Sequence, residues 1–140
     1  KHFEITHTNL NDKCDFLGID IFKDNNNNFV LHQETFIQKL FTKFNFIKEF
    51  KEKETPLPVD IHRKDFQRVN ENWYYELEQN YSNIIGSLLF LRFTRLELLH
   101  AIQIFSTHTH DINKNILAAL KHCLGYIKKT KIYFIFIHSK

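Results

Sequence analysis

Residues 14–33, which read CDFLGIDIFKDNNNNFVLHQ, decide how the chain begins to fold. Apolar residues dominate positions 16–22 and again positions 29–31, and both runs have the composition of β-strands. Between them, residues 23–28 form a polar cluster rich in asparagine. Asn and Asp tolerate left-handed backbone conformations and hydrogen-bond their own main chain, so such a cluster closes a loop without glycine. The stretch therefore predicts a β-hairpin.

The same loop partly matches a calcium-binding loop, because Asp24, Asn26 and Asn28 follow the D-x-N-x-N spacing of an EF-hand. The sixth position is Phe29, although the sharp turn of that loop requires glycine. The twelfth position is Thr35, where a bidentate glutamate belongs. We therefore reject a metal site in this loop.

Apolar residues then recur at helical spacing from Phe36 to Phe44, which predicts an amphipathic helix of about three turns. Lys39 and Lys43 lie one turn apart on its polar side. Two stacked cations fit a phosphate-binding surface, and they fit a solvated helix face equally well.

The pattern breaks down over residues 48–72, where mixed charges and the sequence TPLP at 55–58 predict a connector. A second helical region opens near Ser82, a suitable N-cap, and its apolar face continues to Phe105. A third helix is predicted from Asn113 to about Lys128. Residues 132–137 are almost continuously apolar and predict a buried strand, whose sheet partner a fragment need not contain.

Composition limits the classes of protein. The chain has 140 residues, enough for one domain, and it lacks methionine and begins with Lys1, so we expect a piece of a larger polypeptide. The longest uncharged apolar window, residues 81–91, is short of the roughly 20 residues that a membrane helix needs. Cys14 and Cys123 lie far apart without zinc-type spacing, so we expect free thiols in a reducing compartment.

Charge is unevenly distributed along the chain. The net charge is +3, and no acidic residue follows Asp111. Lys114, Lys121 and Lys128 recur every seven residues, which places them in one stripe on the third helix. A basic C-terminal quarter suits contact with a polyanion, although a solvated helix face explains it nearly as well.

These elements predict an α+β chain: an N-terminal antiparallel β-hairpin, a bundle of three to four helices and a C-terminal apolar strand. Several stretches together resemble the reverse transcriptase of copia-type retrotransposons, in the part that follows the polymerase active site. FLGIDI at residues 16–21 resembles the family's FLGIEI strand, and TPLP at 55–58 matches its STPLP connector. Further matches are LHQ (31–33), FIQKL (36–40) and KFN (43–45) to LSQ…YIxKLLxxFNM, IGSLLFL (85–91) to VGSLLYL, and LGYIKKTK (124–131) to LRYLKGTKD.

The resemblance implies a fragment of a larger polymerase fold. Residues 1–33 would be the end of the palm with the primer-grip hairpin, and residues 34–130 the thumb and connection helices, with a polar linker at about 48–80. Residues 131–140 would begin the connection or ribonuclease H region. The parent would copy RNA into DNA with Mg²⁺ bound by a Tyr-x-Asp-Asp turn. This sequence contains no Asp-Asp pair, so we assign it no catalytic residue, no metal site and no cofactor of its own.

The implied partners are the RNA–DNA template–primer hybrid and the rest of the polyprotein, namely the upstream palm and the downstream ribonuclease H. The implied location is the cytoplasm, within virus-like particles of the parent element, with no membrane contact. Position within the resemblance assigns nucleic-acid contacts to eight residues: Phe16, Leu17, Gly18, Lys39, Lys43, Lys114, Lys121 and Lys128.

The sequence also departs from the family. Its Thr-Arg-Pro-Asp-Ile motif appears here as TRLEL at residues 94–98. Loss of that proline removes an enforced helix break, so residues 82–106 are expected to be able to run as one longer helix. Such changes also fit a decayed or recruited remnant, acting as a protein interaction module through aromatics such as Trp73, Tyr74 and Tyr75. Aromatic clusters of this kind more often cover a core.

The sequence also bears on two further chemistries, a zinc site and a serine hydrolase. His108, His110 and Asp111 lie close together, with His100 and His122 on neighbouring helices, but zinc needs converging ligands and a His-rich turn is usually solvated. A serine hydrolase is not supported, because the sequence contains no G-x-S-x-G turn.

Overall fold

The structure is a computed structural model that describes residues 14–16, 19–23, 25–26, 28–59, 72–131 and 135–137. These ranges form four short strands and five α-helices, which confirms the predicted α+β class. Parts of several predictions fall outside the described residues: residues 1–13 of the predicted palm segment, Leu17, Gly18, residues 60–71 of the predicted connector, and residues 132–134 of the predicted C-terminal strand.

The strands form one antiparallel sheet in the order β1, β2, β3, β4. The predicted Asn-rich hairpin is confirmed: β2 (Ile19–Lys23) pairs with β3 (Phe29–His32), and Lys23 lies opposite Phe29. The first apolar run, however, is divided, because β1 (Cys14–Phe16) pairs back onto β2. Both short strands are apolar, so composition alone did not separate them.

The C-terminal strand finds its partner within this chain. β4 (Ile135–Ile137) pairs with β3, with Phe136 opposite Val30. β3 therefore has a neighbour on each side, and Val30 at its centre is buried. This pairing brings the end of the chain back to the N-terminal hairpin.

The described residues contain five α-helices where three to four were predicted, because part of the predicted linker is helical and the second helical region divides in two. The helices are α1 (Glu34–Lys43), α2 (Asn72–Gln79), α3 (Tyr81–Leu91), α4 (Leu99–Thr107) and α5 (Lys114–Lys129). Short 3₁₀ turns occupy Asn45–Glu49 and Leu96–Leu98. α2 lies inside the predicted polar linker, where Leu77 is buried and secures the helix through long-range packing rather than local periodicity.

Helix ends were predicted with mixed success. Asn113 is the N-cap of α5, and its Oδ1 accepts a hydrogen bond from the main-chain nitrogen of Ile116 over 2.9 Å. Ser82 is not an N-cap, because α3 begins one residue earlier at Tyr81. Main-chain hydrogen bonds continue through Asn80, so α2 runs almost directly into α3.

The expectation of one long helix over residues 82–106 is wrong. α3 ends at Leu91, and Arg95 has φ −120° and ψ 73°, which lie outside the helical region. The break therefore persists without the family's proline. Its position is held by buried polar side chains at the turn, which the next subsection describes.

The apolar inner faces of all five helices pack together into a single core around α5. Trp73 and Tyr74 pack against it, which confirms the core-covering interpretation of that aromatic cluster, whereas Tyr75 is 67% exposed. The most deeply buried members include Ile47, Leu77, Ile84, Leu88, Leu91, Leu98, Phe105, Ala119, Leu120, Leu124 and Ile127.

Candidate nucleic-acid interface

α1 presents a polar, positively charged face. Lys39 and Lys43 are exposed, while Ile37, Leu40 and Phe41 on the opposite side anchor the helix in the core. An open groove of about 450 Å³ runs along this face. Its lining residues are Thr35, Gln38, Lys39, Thr42 and Lys43, which are all hydrogen-bonding side chains.

A second open groove, of about 490 Å³, shares Lys43 with the first. It leads from the end of α1 toward α3, and its polar lining is mainly amide side chains: Asn45, Asn80 and Asn83, with Glu76 as the acidic member. The two grooves meet at Lys43, which lines both.

The three lysines of the α5 stripe have different surroundings. Lys114 is exposed at the first residue of the helix. Lys121 is half-buried, with its Nζ 4.3 Å from the ring centroid of Trp73 and 5.6 Å from that of Phe50. Lys128 donates from Nζ to the main-chain oxygens of Lys48, over 2.5 Å, and Phe50, over 3.1 Å.

Two of the three α5 lysines therefore already make contacts inside the molecule, and on α1 the Nζ of Lys43 lies 5.3 Å from the ring centroid of Phe44. Lys129, the last residue of α5, forms an ion pair with Glu54. Of the predicted hairpin contacts, Phe16 lies in β1, and Leu17 and Gly18 fall outside the described residues. Phosphate contact at these positions stays a prediction.

Sequence reasoning missed a buried polar network around Arg95, which is only 1% exposed. Its Nη1 donates to the main-chain oxygen of Thr130 over 3.0 Å, and its Nη2 donates to Oγ1 of the same residue over 2.5 Å. Its Nε donates to Glu97 Oε2 over 3.2 Å. A buried guanidinium is tolerated because these acceptors satisfy it.

The network extends to α5 through Tyr126, whose hydroxyl donates to Glu97 Oε2 over 2.9 Å. Burial, followed by the hydrogen bond to Glu97, raises the pKa of Tyr126 to about 12. Burial also raises the pKa of the Cys123 thiol to about 12, so this free cysteine is a core residue rather than a nucleophile.

A second buried link joins the start of α1 to the same turn. Thr94 Oγ1 donates to Gln33 Oε1 over 2.6 Å, and Gln33 Nε2 donates to the main-chain oxygen of Phe90 over 3.2 Å. Both side chains are almost fully buried. Gln33, Thr94, Arg95 and Thr130 all belong to the motifs that carry the family resemblance, and the fold brings them together for structural support.

The histidines do not converge on a metal site in the part of the chain that the structure describes. His108 Nδ1 lies 2.9 Å from the main-chain oxygen of Ile104, and His122 Nε2 lies 3.2 Å from Thr55 Oγ1. Burial, followed by the charge of Lys53, lowers the pKa of His122. Over the described residues, no cluster of three or more His, Cys, Asp or Glu side chains could hold a metal ion.

Comparison with known proteins identifies a distant relative. No family model and no solved structure matches the chain. The chain is 26% identical over 124 residues to an uncharacterized mitochondrial protein of Arabidopsis thaliana. The match covers 89% of this chain and 49% of that protein, so the chain spans about half the length of the curated relative. Together with the ordered motifs, this similarity supports an origin in a retrotransposon.

A search of the helices in the described residues finds none with the length and apolar content that a membrane crossing requires.

Proposed function

We propose that this chain is a fragment of a retrotransposon RNA-directed DNA polymerase, which holds the template–primer hybrid and contains no catalytic centre. The observation that carries the proposal is the exposed pair Lys39 and Lys43, one turn apart on a helix whose other side is anchored in the core. Anchoring fixes the spacing of the two cations. The ordered family motifs and the distant relative support the origin.

The chemistry of this surface suits binding without base readout. Lysines neutralise phosphates and thereby give affinity that is independent of sequence, as a copying enzyme requires. The side-chain amide of Gln38 beside them can donate a hydrogen bond to a phosphate or sugar oxygen, whereas the hydroxyl of Thr42 already donates to the main-chain oxygen of Gln38 over 2.9 Å. Holding the primer in line matters for the parent enzyme, because metal-assisted phosphoryl transfer depends on that geometry. Its setting would be the cytoplasm, in virus-like particles, beside the rest of the polyprotein.

The experiment is a salt titration of binding to a short fluorescein-labelled RNA–DNA hybrid, followed by anisotropy. The double variant Lys39→Gln/Lys43→Gln should bind more weakly, and the slope of log K against log salt should become shallower by about 2, one per lost phosphate contact. The charge-matched control is Lys48→Gln/Arg92→Gln, at two exposed positions outside both grooves. The control should retain the slope of the unmodified chain.

Equal slopes for the two double variants would show that Lys39 and Lys43 do not contact the hybrid. Equal affinity for the hybrid and for a neutral polymer would show that the chain has no nucleic-acid-binding function. The alternative of a protein interaction module gains no support from the aromatic cluster, since Trp73 and Tyr74 pack against the core.

A further inference from the structure

Residues 51–57, defined here as the strap, lie across α5 and touch its basic side at successive points. Lys129 pairs with Glu54, and His122 Nε2 lies 3.2 Å from Thr55 Oγ1. Just before the strap, the main-chain oxygens of Lys48 and Phe50 accept hydrogen bonds from Lys128. The strap therefore contacts Lys129, and the residues just before it contact Lys128.

Gly125 shows that close approach of the strap is built into α5. A Cβ at this position would lie 2.2 Å from the main-chain oxygen of Lys51, a distance that real Cβ atoms do not reach. Glycine inside a helix is unfavourable relative to alanine, so its presence in the middle of α5 needs a structural reason. Contact with the strap supplies that reason.

The contacts of the strap itself are individually weak. Glu54 is 80% exposed and Lys129 is 39% exposed, so their ion pair is screened by solvent. The strap has no regular secondary structure, and the buried ring of Phe50 marks where the chain enters the core. Leu57, at the other end of the strap, also packs against the core. The residues between Phe50 and Leu57 can therefore move away from α5 while these two anchors stay in place.

We propose that the strap is an autoinhibitory contact: Glu54 pairs with Lys129 at the basic end of α5, and a nucleic-acid backbone displaces the strap to reach Lys129. The inference rests on the proposed function, because it concerns regulation of the same polyanion binding. A phosphate competes for Lys129 with the single exposed carboxylate of Glu54.

The first test displaces the strap without touching a lysine. Gly125→Ala should push the main chain of Lys51 away, increase amide hydrogen exchange in residues 51–57, and tighten binding to the RNA–DNA hybrid with a salt slope steeper by about 1. The matched control is Gly86→Ala in α3, where an added Cβ has no atom within 4 Å. The control should leave both the exchange and the slope unchanged.

The second test covers the case in which Gly125→Ala does not fold. Glu54→Gln removes the carboxylate that pairs with Lys129 and should tighten hybrid binding roughly two- to fivefold. Glu52→Gln makes the same change of charge at an exposed neighbour in the strap and controls for net charge. Hybrid binding to the unmodified chain should also increase exchange in residues 51–57.

The outcomes separate this inference from the proposed function. If hybrid binding leaves exchange in the strap unchanged, and Glu54→Gln binds no more tightly than Glu52→Gln, the strap is a structural contact only and the inference is wrong. If no variant binds the hybrid, the proposed function itself fails.

Discussion

Arg95 and Thr130 lie 35 positions apart and are joined by two hydrogen bonds, of 3.0 Å from Nη1 to the main-chain oxygen and 2.5 Å from Nη2 to Oγ1. Thr130 is the C-cap of α5, and Arg95 lies in the turn between α3 and α4. The pair therefore fixes the end of α5 against that turn. It also places the chain where it leaves α5 for β4.

Replacing Arg95 should destabilise the protein strongly. Arg95→Met keeps much of the aliphatic volume but leaves the buried acceptors of Thr130 without their donor, which we expect to lower the free energy of unfolding by about 3 kcal/mol. Arg92→Met, three positions earlier at an exposed site, is the control and should change it by about 0.5 kcal/mol or less. Urea denaturation measures both, and similar losses for the two variants would contradict the buried role of Arg95.

The link between Thr94 and Gln33 gives a second stability prediction. Thr94→Val removes the donor and leaves the buried Gln33 Oε1 unpaired, so we expect a loss of about 1–3 kcal/mol. Thr107→Val removes a hydroxyl that bonds only the main chain of its own exposed helix turn, and it should be nearly neutral. Thermal unfolding of both variants provides the comparison, and a neutral Thr94→Val would show that the link does not stabilise the turn.

Sequence patterns that span only a few residues predicted the elements that are held by contacts within those few residues. The asparagine cluster marked the hairpin between β2 and β3, and Asn113 marked the start of α5, because turn and cap preferences act over a few residues. The helix break near Arg95 was missed, since it depends on an acceptor 35 residues away. α2 was missed for the same reason, because Leu77 is apolar but its core partners lie elsewhere in the sequence.

The candidate interface shows the same contrast between features that a local pattern predicts and features that depend on distant residues. The exposure of Lys39 and Lys43 followed from helical periodicity, and the structure agrees. Periodicity also placed Lys121 and Lys128 on one stripe of α5, but it carried no information on what covers that stripe. The signal available in the sequence was Gly125, one of three glycines in the chain, since a helical glycine often marks close approach of another backbone.

Burial of Cys123 predicts an unreactive thiol. Its pKa is raised from 9.0 to about 12, so the thiolate fraction at mildly alkaline pH should be about a thousandfold lower than in the unfolded chain. Labelling with a chromogenic disulfide in the Cys14→Ser background reports Cys123 alone, because the sequence has two cysteines. We expect negligible labelling in the native protein and complete labelling in denaturant. Rapid native labelling would mean that α5 opens or that Cys123 is accessible.

Tyr81 gives a prediction for stability at alkaline pH. Burial raises its pKa from 10.0 to about 12, and its hydroxyl donates to the main-chain oxygen of Phe105 over 2.5 Å. Between these two pH values the folded state retains a proton that the unfolded state has released. The stability that Tyr81 contributes is therefore fully present below about pH 10 and is lost as the pH rises toward about 12.

The corresponding experiment follows the free energy of unfolding across this pH range for Tyr81→Phe and for Tyr75→Phe, a control at an exposed position. Tyr81→Phe should lower stability at about pH 10 through the lost hydrogen bond, the difference from the unmodified chain should narrow as the pH rises toward about 12, and the decline of its stability with pH should be shallower by up to one proton. Tyr126, whose pKa is also about 12, continues to titrate in both variants, so the decline should not disappear. Identical slopes for the two variants would show that the Tyr81 hydroxyl ionises equally in the folded and unfolded chains, which its buried hydrogen bond to Phe105 argues against.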